Sequence, residues 1–225
     1  MKQKTALVFG ATGLVGSHLV RLLLDDEEYG TVRIFSRRGS GIISPKLDEQ
    51  IVDFDKPGEW RDKVRGDVIF SCMGTTIKKA GSKEAQFLVD YTYQFRAAAA
   101  AAENGVRSMV LVSAPGAHPE SRIFYNRIKG ELDRDIIKLP FERIRIIRPS
   151  VLDGERKEKR RGESMAIALG KVLAPLIYPL KKYRPVHAGI VAAAMIAAEG
   201  DGPAAFAEYE LEDLFNLSEG KRRGT

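Results

Sequence analysis

Tyr125 and Lys129 stand four residues apart in Tyr125-Asn126-Arg127-Ile128-Lys129, and Ser113 lies upstream at the end of an apolar run. On a helix this spacing puts a phenol and an ammonium on one face. A free tyrosine titrates near pH 10, and an opposite charge at close range moves a pKa by about 1 to 3 units, so Lys129 can turn Tyr125 into a usable proton donor. The chemistry is acid–base work at a carbonyl: Tyr125 protonates the oxygen, or deprotonates an alcohol in reverse, while Ser113 holds the same oxygen. The pair alone is frequent on any helix, where it packs a stem and exposes two polar ends. Its position after a strand that ends in serine, and after a glycine motif at the amino terminus, gives it weight.

A carbonyl that takes a proton also needs a hydride, and the start of the chain offers a place for the carrier. Gly10-Ala11-Thr12-Gly13-Leu14-Val15-Gly16 follows the apolar run Thr5 to Phe9 and precedes an amphipathic stretch from Ser17 to Leu24. Strand, glycine turn and helix in that order make a dinucleotide cradle: the glycines allow a tight turn and close approach to a pyrophosphate, and the helix amino end favours negative charge. Nicotinamide would carry the hydride. Where a fold selecting NAD places an acid after the second strand, this chain has Ser36-Arg37-Arg38. Two guanidiniums match a 2′-phosphate, so NADP(H) is expected in preference to NAD(H). Asp53 and Phe54, after the third strand, are candidates to offer adenine a carboxylate and a ring edge. Cys72-Met73-Gly74-Thr75-Thr76 ends the fourth strand where the dinucleotide should pass. Gly74 would permit close backbone approach and Thr75 a bond to ribose or phosphate, with ordinary loop roles open for each. Cys72 has no evident base beside it and is taken as structural.

Elements must position these residues. Apolar runs predict strands at Thr5–Phe9, Val32–Ser36, Gln50–Asp53, Val68–Cys72, Ser108–Ser113 and Arg143–Arg148, and longer spacings predict helices at Ser17–Leu24, Glu84–Asn104 and Arg127–Lys138. This alternation is the pattern of an α/β fold with a doubly wound parallel sheet, ligands lying at the strand carboxyl ends. The alanine patch Ala97–Ala102 suits a buried helix. At 225 residues one domain, 1–225, is expected. Composition changes after Pro149, so residues 151–185 are expected to form a substrate lid. Its pieces would be a helix at Glu155–Leu173 and an irregular stretch at Ala174–Pro185, with Val186–Glu199 following as the final helix. His187, at the start of that helix, either faces the pocket or bonds backbone, and the second role is favoured.

Composition narrows the classes. The net charge of +6 attracts an anionic ligand. The basic runs Arg156–Arg161 and Lys221-Arg222-Arg223 contain no aromatic residue, so nucleic-acid binding is not expected. No uninterrupted apolar stretch is long enough to span a membrane. Cys72 is the only cysteine and there are three histidines, so neither an internal disulfide nor a metal site is expected. Met1-Lys2-Gln3-Lys4 runs straight into the first strand, and a cytoplasmic location is expected. Ser113 and His118 lack the nucleophile elbow of a hydrolase.

These motifs, with Arg148-Pro149-Ser150, resemble an atypical short-chain dehydrogenase/reductase near the Tat-interactive-protein-like oxidoreductase branch, over nearly the whole chain. The resemblance implies a Rossmann-like sheet with a short carboxyl-terminal segment covering the substrate. It implies that Ser113, Tyr125 and Lys129 form the catalytic set, that Lys129 also touches the nicotinamide ribose, and that Pro149, Ser150 and Val151 lie beside the nicotinamide. The cofactor residues would be Gly10, Thr12, Gly13, Leu14, Val15, Gly16, Ser36, Arg37, Arg38, Asp53, Phe54, Cys72, Met73, Gly74 and Thr75. Two departures concern the substrate side: the tail after Val151 is short, and Pro115-Gly116 follows Ser113 closely. The expected function is NADP(H)-dependent hydride transfer to or from a small carbonyl or alcohol. The rival is a catalytically quiet NAD(P)-sensing regulator that binds a protein partner, and keeping Ser113, Tyr125 and Lys129 together favours the enzyme. Helices 84–104 and 127–138 are candidates for a four-helix homodimer seam of the kind related proteins form.

Overall fold

The computed structural model describes residues 3–153 and 185–222. Its strands are β1 Lys4–Phe9, β2 Tyr29–Ser36, β3 Leu47–Ile51, β4 Val68–Ser71, β5 Ser108–Val112, β6 Arg143–Arg148, β7 Leu152–Asp153, β8 Val186–His187 and β9 Phe206–Glu210. Seven of them form one sheet in the order β3-β2-β1-β4-β5-β6-β9, every neighbouring pair parallel, while β7 pairs with β8 apart from it. The helices are α1 Leu14–Asp25, α2 Ile77–Ala80, α3 Lys83–Phe87, α4 Tyr93–Glu103, α5 Phe124–Ile136, α6 Ala188–Gly200 and α7 Glu212–Arg222. This is the expected Rossmann-like α/β architecture.

Alternation along each strand explains why helices cover both faces. Ala6 and Val8 of β1 join Ile34, Phe70 and Val110 in a core closed by α1 and α6, whereas Leu7 and Phe9 join Phe35, Ile69 and Met109 in a second core closed by Trp60, α4 and α5. The alanines of α4 let it lie close to the sheet: Ala97, Ala98 and Ala101 are fully buried. The strand order reverses between β1 and β4, which opens the crevice where such sheets bind ligands.

Three expectations are corrected here. The third strand is Leu47–Ile51 rather than Gln50–Asp53, because pairing with β2 runs from Val32↔Leu47 to Ser36↔Ile51. The helix read over 84–104 is interrupted: a π-turn, Leu88–Thr92, separates α3 from α4 and turns the carboxylate of Asp90 fully inward. Finally, α6 is not the last element. Its start at Ala188 is capped by His187, whose Nδ1 accepts from the Gly189 amide, and β9 and α7 follow it. Thus His187 takes the backbone-bonding role. The strand β9 escaped notice because this edge strand, reading Phe-Ala-Glu-Tyr-Glu, turns only Ala207 and Tyr209 to the core and alternates them with acids, too short an apolar signal to announce a strand. The helix expected at Glu155–Leu173 and most of the lid expected at 151–185 lie outside the described residues.

Candidate functional site

The glycine turn sits at the carboxyl end of β1. Gly10 has φ +84°, and a side chain there would meet the backbone of Cys72 at 2.6 Å, so the loops after β1 and β4 touch. Gly16, in the first turn of α1, lies so close to Gly10 that an added Cβ would stand 2.1 Å from the Gly10 carbonyl oxygen. The helix therefore packs directly on the turn. Its amino end, at Gly13, carries no side-chain cap and its first turn no acid, which leaves amide groups and a positive dipole end for an anion. Val15 and Gly16 are buried; Thr12 and Gly13 are exposed at the rim and Leu14 is half-buried.

Beyond β2, the buried Ser36 donates its hydroxyl to the Arg38 carbonyl at 2.7 Å, which curls the chain and leaves Arg37 and Arg38 exposed. Asp53 is exposed, but the Phe54 ring is 5% exposed and packs on Phe9, Trp60 and Tyr93. Phe54 serves the core. Cys72 places its sulfur 3.7 Å from that of Met195, and burial pushes its thiol up to about 12, in keeping with a structural role. Met73 is half-buried and Gly74 exposed, and the next residue opens a network that sequence reasoning missed.

The Thr75 amide donates to Asp90 Oδ2 at 2.9 Å, and Asp90 Oδ1 lies 3.6 Å from the Lys129 ammonium. Lys129 is 2% exposed, its Nζ also donating to the Val112 carbonyl at 3.3 Å, so the amine is held at the carboxyl end of β5. Burial holds the Asp90 carboxyl above its ordinary value, against the pull of Lys129. On the next turn of α5, Asp133 is also buried. Its Oδ2 accepts from Ser113 Oγ at 2.8 Å and from Arg148 at 3.2 Å, and burial again raises its pKa. Arg148 is in turn bonded to Glu208 of β9 at 2.8 Å. The available signal was position: Lys129, Leu132, Asp133 and Ile136 share the buried stripe of α5, where charged residues are out of place.

Tyr125 differs from its partners in being 39% exposed. It lies in the first turn of α5, one turn before Lys129. The loop from Ser113 folds back on this helix: the His118 amide donates to the Asn126 carbonyl at 3.1 Å, and Gly130 admits the His118 backbone where a Cβ would stand 2.2 Å from it. Gly130→Ala is therefore expected to destabilise the fold by about 1–3 kcal/mol through overpacking against backbone that cannot swing aside. A urea midpoint equal to the parent's would show that the loop rests there loosely. Pro149 and Ser150 are buried at the end of β6, and Val151 is exposed beside them. Ser113, Asp133 and Arg148 thus form one bonded chain and Thr75, Asp90 and Lys129 another, with Lys129 and Asp133 on successive turns of α5, Tyr125 one turn before Lys129, and the glycine crevice at the same end of the sheet. A cavity of ≈ 610 Å³ opens instead by Lys4, Glu199 and Tyr209, and Lys4 begins β1, at the opposite end. No helix among the described residues is long and apolar enough to cross a membrane.

The chain is 36% identical over 200 residues to "Protein FMP52, mitochondrial" of Meyerozyma guilliermondii, covering 86% of this chain and 84% of that protein. It is 39% identical over 172 residues to the Eremothecium gossypii protein of the same name, covering 75% and 76%. Those relatives are named mitochondrial, which overturns the expected cytoplasmic location; a lone cysteine excludes an internal disulfide but names no compartment. Among solved structures, "MoeE5 in complex with UDP-glucose and NAD" superposes with a TM-score of 0.67 at 16% identity, covering 96% of this chain and 81% of that one. A short-chain dehydrogenase/reductase superfamily protein from Agrobacterium tumefaciens, with bound NAD, gives 0.65 at 16%, covering 94% and 81%. At such identities the likeness shows the fold alone. The short-chain dehydrogenase/reductase resemblance holds at that level, without the Tat-interactive branch being singled out. The NAD(P)H-binding family model matches residues 10–155, well over half of the chain, and the chain belongs to that NAD(P)H-binding family.

Proposed function

We propose that this protein is an NADP(H)-dependent oxidoreductase that moves a hydride to or from a small carbonyl or alcohol. The observation that carries the proposal is the buried ammonium of Lys129, one turn from the exposed phenol of Tyr125, at the sheet end that also bears the uncapped helix start at Gly13. When bound, the dinucleotide would supply the hydride. Gly10, Gly13 and Gly16 let backbone approach its pyrophosphate, Arg37 and Arg38 meet the 2′-phosphate, and the segment Pro149–Val151 borders the reacting ring. Tyr125 donates the proton to a carbonyl oxygen, or takes it from an alcohol, and Ser113 contacts the same oxygen. Lys129, held by Asp90 and the Val112 carbonyl, keeps its positive charge at the same end of the sheet.

Two measurements test this. NADPH consumption is to be followed against aldehydes, ketones and quinones; turnover of any supports the enzyme, whereas tight cofactor binding with no turnover across the set replaces it with a cofactor-sensing regulator. In parallel, calorimetric titration is expected to give tighter binding of NADPH than NADH, with Arg37→Ala/Arg38→Ala lowering NADPH affinity about 10- to 100-fold, the worth of one or two charge-assisted bonds, and leaving NADH nearly unchanged. Equal binding of the two coenzymes by the parent overturns the 2′-phosphate assignment.

A further inference from the structure

The structure assigns to Asp133 the control of the Ser113 hydroxyl, and so makes Ser113 an acceptor towards the substrate; the inference rests on the proposed placement of Ser113 at the substrate oxygen. A serine hydroxyl owns one proton and two lone pairs. The proton of Ser113 is committed to Asp133 Oδ2 at 2.8 Å. Both residues are nearly inaccessible, Ser113 at 4% and Asp133 at 3%, so water does not compete for that bond.

The acceptor is itself fixed from behind. Arg148 donates to the same Oδ2 at 3.2 Å and is held to Glu208 at 2.8 Å and to Glu210 at 3.6 Å, so β6 and β9 set where the carboxylate oxygen points. Asp133 Oδ1 has no hydrogen-bond partner, which leaves Oδ2 as the oxygen that organises the group. Turning the serine proton towards a ligand would strip a buried carboxylate oxygen of one of its two donors, a loss that a single new bond to a neutral carbonyl does not offset.

Ser113 therefore offers the reacting oxygen lone pairs alone. A hydroxyl ligand can donate to Ser113 while accepting from the Tyr125 phenol. A carbonyl ligand, which has no proton, gains only the tyrosine bond. The site is thus polarised towards the alcohol partner of the reaction, with Asp133 as a positioning residue that acts through Ser113.

Binding in the presence of saturating NADPH tests this without chemistry, using size-matched ligands that hydride cannot alter: tertiary alcohols such as 2-methyl-2-butanol and tertiary amides such as N,N-dimethylacetamide. Affinities are read from protein NMR shifts. The parent is expected to prefer the alcohol, and Ser113→Ala to weaken the alcohol about fivefold, the worth of one net hydrogen bond, while leaving the amide unchanged. Asp133→Leu, which frees the serine proton, is expected to improve the amide about fivefold, and Asp133→Asn, whose amide oxygen can take the Oδ2 position, to restore the parent preference. Should the leucine variant not fold, the serine variant decides alone. Selective weakening of the amide by Ser113→Ala shows a donating hydroxyl and overturns the assignment. If Ser113→Ala moves neither affinity, it is the placement of Ser113 at the substrate that fails. If neither ligand class binds the parent, the oxidoreductase proposal fails with it.

Discussion

Tyr125→Phe is expected to bind NADPH as tightly as the parent and to turn over a carbonyl substrate about 10² to 10⁴ times more slowly, the usual worth of a positioned proton donor. The two effects separate because of where the phenol sits. Tyr125 is 39% exposed at the start of α5, so removing its oxygen uncovers no buried polar group, and stability should stay within about 0.5 kcal/mol of the parent. Its neighbours cannot replace it. The Ser113 proton is engaged by Asp133, and Lys129 is buried with its amine turned to Asp90 and the Val112 carbonyl. Turnover at the parent rate would mean that the proton comes from elsewhere, and the proposed site would lose its acid. Calorimetry with NADPH alongside the kinetics ensures that a rate loss is not a loss of cofactor.

The parts of this arrangement that sequence revealed are those with short-range physical signatures. Glycines at 10, 13 and 16 between an apolar strand and an amphipathic helix announce a close turn, and the contacts at Gly10 and Gly16 are of that kind. A four-residue spacing places Tyr125 and Lys129 together on any helix. The sheet order follows from short connections and right-handed crossovers once the strands are recognised. What stayed hidden depended on partners far along the chain. Asp90 faces inward because a π-turn adds a residue to the helical register, and nothing local in Leu88-Val89-Asp90-Tyr91 forecasts that. Asp133 needs Arg148 and Ser113 to be tolerated in a buried stripe, and Arg148 needs β9, whose short sequence with two acids does not read as a strand. Phe54 shows the converse. Its place after a strand suits a ligand, but the aromatic cluster of Phe9, Trp60 and Tyr93 claims its ring.

Lys129→Met should remove more stability than any other single change in the site, about 3–5 kcal/mol at neutral pH, since it strands a buried carboxylate without its cation. Asp90 is fully buried and lies 3.6 Å from that ammonium, and Asp133 on the same helix is also drawn towards ionisation by it. The sign of the pH dependence follows from the shifts. Burial raises both folded-state carboxyls above their ordinary value of 3.8, so the folded protein holds protons that the unfolded chain releases. Stability from these groups is fully present below that value and is lost as pH rises through the folded values. Without Lys129 those folded values move higher, and the loss continues further up the pH scale. The penalty of Lys129→Met should accordingly be small near pH 4 and grow towards neutrality, a trend that urea unfolding at stepped pH reads directly. A penalty equal at all pH values would show that the lysine acts through packing of its stem and not through charge.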